Sequence, residues 1–338
     1  WVYSLDDTNT IVQALKAGQT ETDTFNVLSD DGTPTTVDIT IHGANDAPTL
    51  PGNQVLTLDG VDDVAVTENL ASNQSDNTTL EGWFNWDGSG SVTQILAYNG
   101  NVTTSGYGLQ GEILDGQLQL DILLGGNAVL STDASLSQNE WHHVALTRNA
   151  GEFELYLDGV QQTVTDSDTS PNSFQSDDVT MIGGAATSNG FSFSGKIDEV
   201  RIWDTARSAP EISGIMNQSA NGNEAGLTAQ WTFDGNGDDL SGNGNAATLQ
   251  NGADYEDQMN ATISAGATFR ALLLGTDADS ADLQYSLNSN ANNGNVSHTN
   301  NGAEFIYANN GTVGVDGFSV DVSDGDLNTV ETINITVI

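Results

Sequence analysis

The sequence predicts an all-β protein with one short helix. Three observations carry that prediction. Most apolar residues alternate with polar ones at period two, Asn- and Gly-rich stretches separate these runs, and only one stretch shows helical spacing behind a capping residue. A chain of 338 residues is long enough for two or three units with cores of their own. Cysteine is absent, so no disulfide framework staples it. No run of eighteen apolar residues marks a membrane-spanning helix.

Taken in order, residues 1–48 read as strands and turns. Phe25-Asn26-Val27-Leu28 runs into Ser29-Asp30-Asp31-Gly32, and Val37, Ile39 and Ile41 then share one strand face. The segment closes on Asn45-Asp46-Ala47-Pro48. No signal peptide is visible and Trp1 opens in mid-strand, which reads as a piece of something longer. In residues 49–256, Leu80–Trp86 carries aromatics on both faces, while Leu118, Leu120, Ile122 and Leu124 line one face of another strand. The stretches Asn99–Gly108, Gly125–Asn127 and Asp166–Ser176 read as loops. Trp141–Arg148, Phe153–Leu157 and Phe193–Trp203 are expected as three consecutive antiparallel strands. Asp158-Gly159 predicts a tight hairpin, because both turn positions require positive φ. Ser208 with Glu211 forms a capping box ahead of Ile212, Ile215 and Met216, which predicts the helix. In residues 257–338, Leu283–Leu287 reads as a strand and 288–301 as a long hairpin loop. Phe318–Gly325 followed by Ile333, Ile335 and Val337 repeats the plan of the first segment, the mark of tandem modules.

Several of these motifs carry a resemblance. Leu58-Asp59-Gly60-Val61-Asp62-Asp63, Trp141-His142-His143-Val144-Ala145, Leu155-Tyr156-Leu157-Asp158-Gly159, Gly195–Trp203, Trp231-Thr232-Phe233-Asp234 and Asp239–Asn245 resemble, in order and spacing, the laminin-G-like, concanavalin-type jelly rolls. That likeness covers roughly residues 50–256. It implies a sandwich that binds glycans or proteins, commonly with calcium. The two flanking repeats, with Asn-Asp-Ala-Pro closing the first, resemble the VCBS and cadherin-like modules of large bacterial adhesins of the RTX type. The expected organisation is therefore the closing part of one such module (1–48), a jelly roll (49–256) and an Ig/cadherin-like sandwich (257–338). The first copy lacks opening strands, so it is expected to pack on the middle unit, to exchange strands with a neighbouring chain, or to form one split unit with residues 259–338.

The charge narrows the partners. Forty-seven acidic residues against six basic ones give a net charge of −41, which repels nucleic acid and anionic membrane surfaces. Acidic turns are also what hard divalent cations need, six to eight oxygens at a time. Three groups of calcium ligands are expected. Asp277, Asp279 and Asp282 would act with Asp324 and Asp326, and Asn45 with Asp46 would stiffen the junction. In the middle unit the resemblance places calcium near the opening strand, which selects Asp59, Asp62 and Asp198, with Asp234 and Asp239 behind them. Alternation puts Asp198 on the face of Val200 and Ile202, where a bare carboxylate is costly, and Glu199 on the face of Arg201 as an ion pair. Against each group stands the plain reading that Asp and Asn cap their own turns.

Adjacent His142 and His143 point to opposite faces of a strand, so they cannot share one metal; a structural pair is expected. The β-glucanases of this architecture use two carboxylates about 5–5.5 Å apart for retention, in a Glu-x-Asp-x-x-Glu pattern that the sequence lacks. An enzyme is not expected. Sugar recognition wants an aromatic platform beside planar polar groups, and Tyr98, Asn99, Asn101, Tyr107 and Asn189 offer that chemistry on expected loop tips. The expectation is a secreted, calcium-dependent adhesion segment that binds a glycan or surface protein and adjoins further repeats of the same chain; a ligand-free spacer is the alternative.

Overall fold

The computed structural model describes all residues except 1, 7–8, 51–52, 69–76, 126–127, 166–178, 185–190, 281 and 300–301. Alternating sequences pair as expected, and strands dominate throughout. Among the described residues, no helix is long and apolar enough to cross a membrane.

The middle of the chain is a sandwich of two antiparallel sheets. In the first, strands run in the order Val160–Gln162, Glu152–Leu157, Trp141–Asn149, Thr78–Trp86, Ser194–Trp203, Gln54–Asp59 and Asp254–Asp257, with Leu227–Trp231 also pairing to Ser194–Trp203. The facing sheet runs Ala247–Gln250, Val64–Thr67, Val179–Ile182, Thr93–Asn101, Ser105–Leu114, Gln117–Leu124 and Ala128–Leu136. Leu56, Phe84, Leu109, Leu120, Leu146, Ile197 and Trp231 are among the residues that fill the space between them. Two expectations change here. Trp141–Asn149 and Ser194–Trp203 are not neighbours, because Thr78–Trp86 inserts between them. The stretch 99–108 is not a loop: it is the hairpin between Thr93–Asn101 and Ser105–Leu114, made possible by Gly100 and Gly106 approaching closely enough to exclude any Cβ. Asp158 and Gly159 adopt φ of 51° and 76°, the conformation the hairpin requires. The helix Ala209–Ile215 starts as expected, Ser208 donating its amide and hydroxyl to Glu211.

The last segment forms a smaller sandwich of a four-stranded sheet (Asn260–Ile263, Asn328–Val337, Gly314–Ser323, Gln284–Ser289) and a three-stranded one (Thr268–Leu272, Glu304–Asn309, Gly294–His298). The expected long loop 288–301 therefore contains a strand of its own. The core of this sandwich runs on without a break into Val55, Trp83 and Trp141 of the middle unit. Those three side chains face outward from the first sheet, so the last segment covers part of that face.

Among the described residues, Thr20–Leu28 and Pro34–His42 pair only with each other, and Val37, Ile39 and Ile41 remain half-exposed. Among the described residues, no strand of this hairpin joins the sheets of the last segment. A four-residue helix, Thr10–Gln13, precedes it where strands and turns were expected; Asn9 caps it through the amide of Ile11. Beyond the hairpin, Thr49 exchanges two backbone hydrogen bonds with Thr276, both 2.9 Å, and Leu50 packs on the core of the last segment. Residues just ahead of the middle sandwich are thus held by residues well beyond it.

Candidate functional site

Among the described residues, two carboxylate clusters emerge at turns. In the larger one, Asp277, Asp279 and Asp324 place carboxylate oxygens within 4.8 Å of one another. Asp277 Oδ1 accepts from the amides of Asp279 and Ser280, which folds the turn tightly. Its Oδ2 accepts nothing, nor does either oxygen of Asp279, although both residues are more than nine-tenths buried. Burial, with Asp277 beside it, pushes the Asp279 carboxyl up to about 6. Asp324 is better served. Burial works against its ionisation, but the amides of Leu327 and Asp326 and the Asn45 carboxamide, 2.7 Å from Oδ2, hold it below the ordinary value.

Buried, unpartnered carboxylate oxygens facing one another are unfavourable unless a cation sits between them. An all-oxygen donor set of this kind suits a hard divalent ion. Asn45 reaches the cluster directly, and Asp46 lies close enough for its charge to bear on Asp279. The two groups expected separately are therefore one. Asp282 and Asp326 do not join it; both are exposed, and only the Asp326 amide contributes, to Asp324.

The second cluster joins Asp59 and Asp62 with Asp63. Asp63 is buried; its Oδ2 accepts from the Asp59 amide at 2.9 Å, its Oδ1 is unpartnered, and burial raises its carboxyl. It stands inside the motif that named its neighbours, and its burial signalled the role that alternation alone did not.

Asp198 is not part of that cluster, a correction with a clear cause. A β-bulge in Ser194–Trp203 sets Asp198 opposite Trp83 and Arg201 opposite Glu81, one residue too many on the first strand. Glu199 takes up the strain at φ 48°. The bulge turns Asp198 away from Val200 and Ile202 and onto the outer face, far along the strand from Asp59. There it accepts from the Glu199 amide, and burial, Glu199 and Asp234 raise its carboxyl well above the ordinary range. Asp234 accepts from Gln54 and is pushed up to about 7, chiefly by burial. Asp239 is also reassigned: it accepts five hydrogen bonds from Gln230, Ser241 and Asn245, so it organises its own loop and has no lone pairs to spare for an ion.

The expected sugar platform is not at the surface. Tyr98, Asn99 and Tyr107 are fully buried. Tyr98 donates to Ser105 O, and Asn99 links the Tyr107 hydroxyl to Thr180. Asn101 is half-exposed and caps Thr103, and Asn189 lies outside the described residues. His143, not His142, is enclosed; burial lowers it to about 3, so it stays neutral 3.5 Å from Glu81. His142 sits at the strand rim, 2.9 Å from Asp158.

Two facing antiparallel sheets around a single apolar interior, strand orders crossed as above, define a jelly-roll sandwich. Residues 58–213 match the Laminin_G_3 family, described as the concanavalin A-like lectin/glucanases superfamily. The middle of this chain accordingly has a concanavalin-like jelly-roll fold, and the family match spans less than half of the chain. Among solved structures, a Bacteroides ovatus protein provisionally described as carbohydrate-binding is similar at 19% identity and TM-score 0.47, covering 72% of this chain and 70% of its own. A heptameric SAP-like pentraxin from Limulus polyphemus is similar at 13% identity and TM-score 0.44, covering 60% and 94% respectively. Comparison with curated proteins returned no match.

Proposed function

We propose that this chain is a calcium-dependent binding segment of an extracellular adhesion protein, its concanavalin A-like domain holding a glycan and its flanking repeats acting as extenders. One observation carries the reading: the buried, unpartnered carboxylates of Asp277 and Asp279 beside Asp324 and Asn45. Calcium there would tie the segment before the middle domain to the segment after it, and would offset part of the −41 charge. Asp59, Asp62 and Asp63 are the second site, on the rim of the sandwich. Binding rather than catalysis is supported by the sequence, which lacks the carboxylate spacing of the related glucanases.

Calorimetric titration of chelator-treated protein with calcium tests the metal, and a glycan array with and without chelator tests the ligand. Failure to bind calcium would sink the first half of the reading. Burial of Tyr98, Asn99 and Tyr107 favours a second one, a spacer with no ligand, and uniform silence on the array would select it.

A further inference from the structure

Lys196 pairs with Asn85 on one side and Thr57 on the other, so the three stand in one row across neighbouring strands. All three face away from the sandwich core, because Ile197, Phe84, Leu56 and Leu58 point into it. Thr268 and Arg270 of the last segment stand opposite, closing a cleft of about 560 Å³. That size falls among small-molecule sites, ~300–1,000 Å³.

The cleft is unusual in its charge. Of the six basic residues in the chain, two line it. Each is already paired: Lys196 with Glu256 at 2.6 Å, and Arg270 with Glu304 at 2.9 Å and Glu140 at 3.2 Å. Donors and acceptors therefore alternate along the walls with no surplus of positive charge, and an anion would meet Glu256 and Asp87. Asn85 is only 7% exposed and lines the cleft, a carboxamide with both a donor and an acceptor to offer. A sugar hydroxyl both donates and accepts, which matches a wall of this composition.

We infer that this cleft binds an uncharged, hydroxyl-rich saccharide, held between Asn85 and Lys196 on the sandwich and Thr268 and Arg270 on the last segment. The inference rests on the glycan-binding reading above and adds the place and the ligand class. Recognition then needs both units, since neither alone has two walls.

The test is an array of neutral gluco-, galacto- and manno-oligosaccharides beside uronate- and sialate-bearing ones, followed by calorimetry of the best neutral binder against wild type, Asn85→Ala and Thr268→Trp. Thr268 is exposed, so its variant fills the cleft without entering either core. Both variants should bind at least tenfold more weakly with unchanged circular dichroism. Equal binding by both variants would overturn the cleft while leaving glycan binding intact. Binding confined to acidic oligosaccharides would overturn the ligand class, and no binding by wild type would remove this inference and the glycan reading together.

Discussion

Tyr3 lies parallel to Phe25, ring centroids 6.5 Å apart and planes 9° apart, and donates its hydroxyl to Asp23 two residues ahead. Tyr307 does the same to Phe318, at 6.4 Å and 7°, donating to Asp316. The same ring stack and hydroxyl–carboxylate bond thus occur in both segments. The surroundings differ: Phe318 is enclosed by two sheets, whereas Phe25 is half-exposed on a two-stranded hairpin with Tyr3 stacked on it. Apolar residues covered on one side contribute little. Amides of 20–42 should exchange with deuterium far faster than those of 314–337. Phe318→Ala should cost about 3–5 kcal/mol, and Phe25→Ala should stay within about 0.5 kcal/mol of wild type. Comparable losses in urea unfolding would show the first hairpin to be buried in solution.

A cation bound among Asp277, Asp279 and Asp324, as proposed, would stabilise the folded chain by binding it and not the unfolded one. Chelation should lower the melting temperature, and Asp279→Asn should abolish that calcium-dependent shift while raising the melting temperature of the metal-free protein, because it removes a buried charge. An Asp282→Asn variant should behave as wild type, since that side chain lies outside the cluster. A shift surviving in Asp279→Asn would place the ion at Asp59, Asp62 and Asp63 instead.

Opposed titrations should bracket the pH range of stability. Asp234 is raised from 3.8 to about 7, so the folded state binds its proton more tightly. Its contribution is complete below about pH 4 and lost as pH rises through 7. His143 is lowered from 6.5 to about 3, so the unfolded state takes the proton first. Its contribution is complete above 6.5 and is lost as pH falls toward 3. Asp234→Asn keeps an acceptor for Gln54 and should stabilise at pH 8 but not at pH 4. His143→Gln should lessen the loss between pH 6 and 4 without changing behaviour at pH 8. Unfolding curves at these pH values decide both.

What the sequence revealed follows from which forces are local. Alternation, the Asp158-Gly159 turn and the Ser208–Glu211 cap depend on neighbours in the chain, so strands, hairpin and helix were legible. The ion pair of Glu199 with Arg201 was legible for the same reason. Insertion of Thr78–Trp86 between two strands adjacent in the motif is a long-range choice and left no local mark. The bulge at Asp198–Arg201 shifted the face of Asp198 by one residue, which period-two counting cannot foresee. Tyr98 and Tyr107 looked like loop residues because glycines surround them. Those glycines instead let two strands approach, and the tyrosines were enclosed.

Arg201 ties the sandwich to the acidic turn that carries Asp277 and Asp279. Buried on the outer face, it donates to Glu199 at 2.8 Å and to Ile215 O at 3.3 Å, and it stands 3.8 Å from Glu81, which also accepts from Trp203. Replacing it by Met leaves two buried carboxylates without their cation, a change worth about 3–5 kcal/mol. Adding Glu81→Gln and Glu199→Gln removes the stranded charges and should restore much of the loss. Arg201 also steadies the loop after the helix through Gln218 O. From that loop Ser219 donates to Gly275 O and Asn221 to Asp277 O, the backbone that carries the acidic turn. The triple variant, stable but without this anchor, should therefore bind calcium several-fold more weakly than wild type. Unchanged affinity in calorimetry would mean that the acidic turn holds its shape without help from the sandwich beneath it.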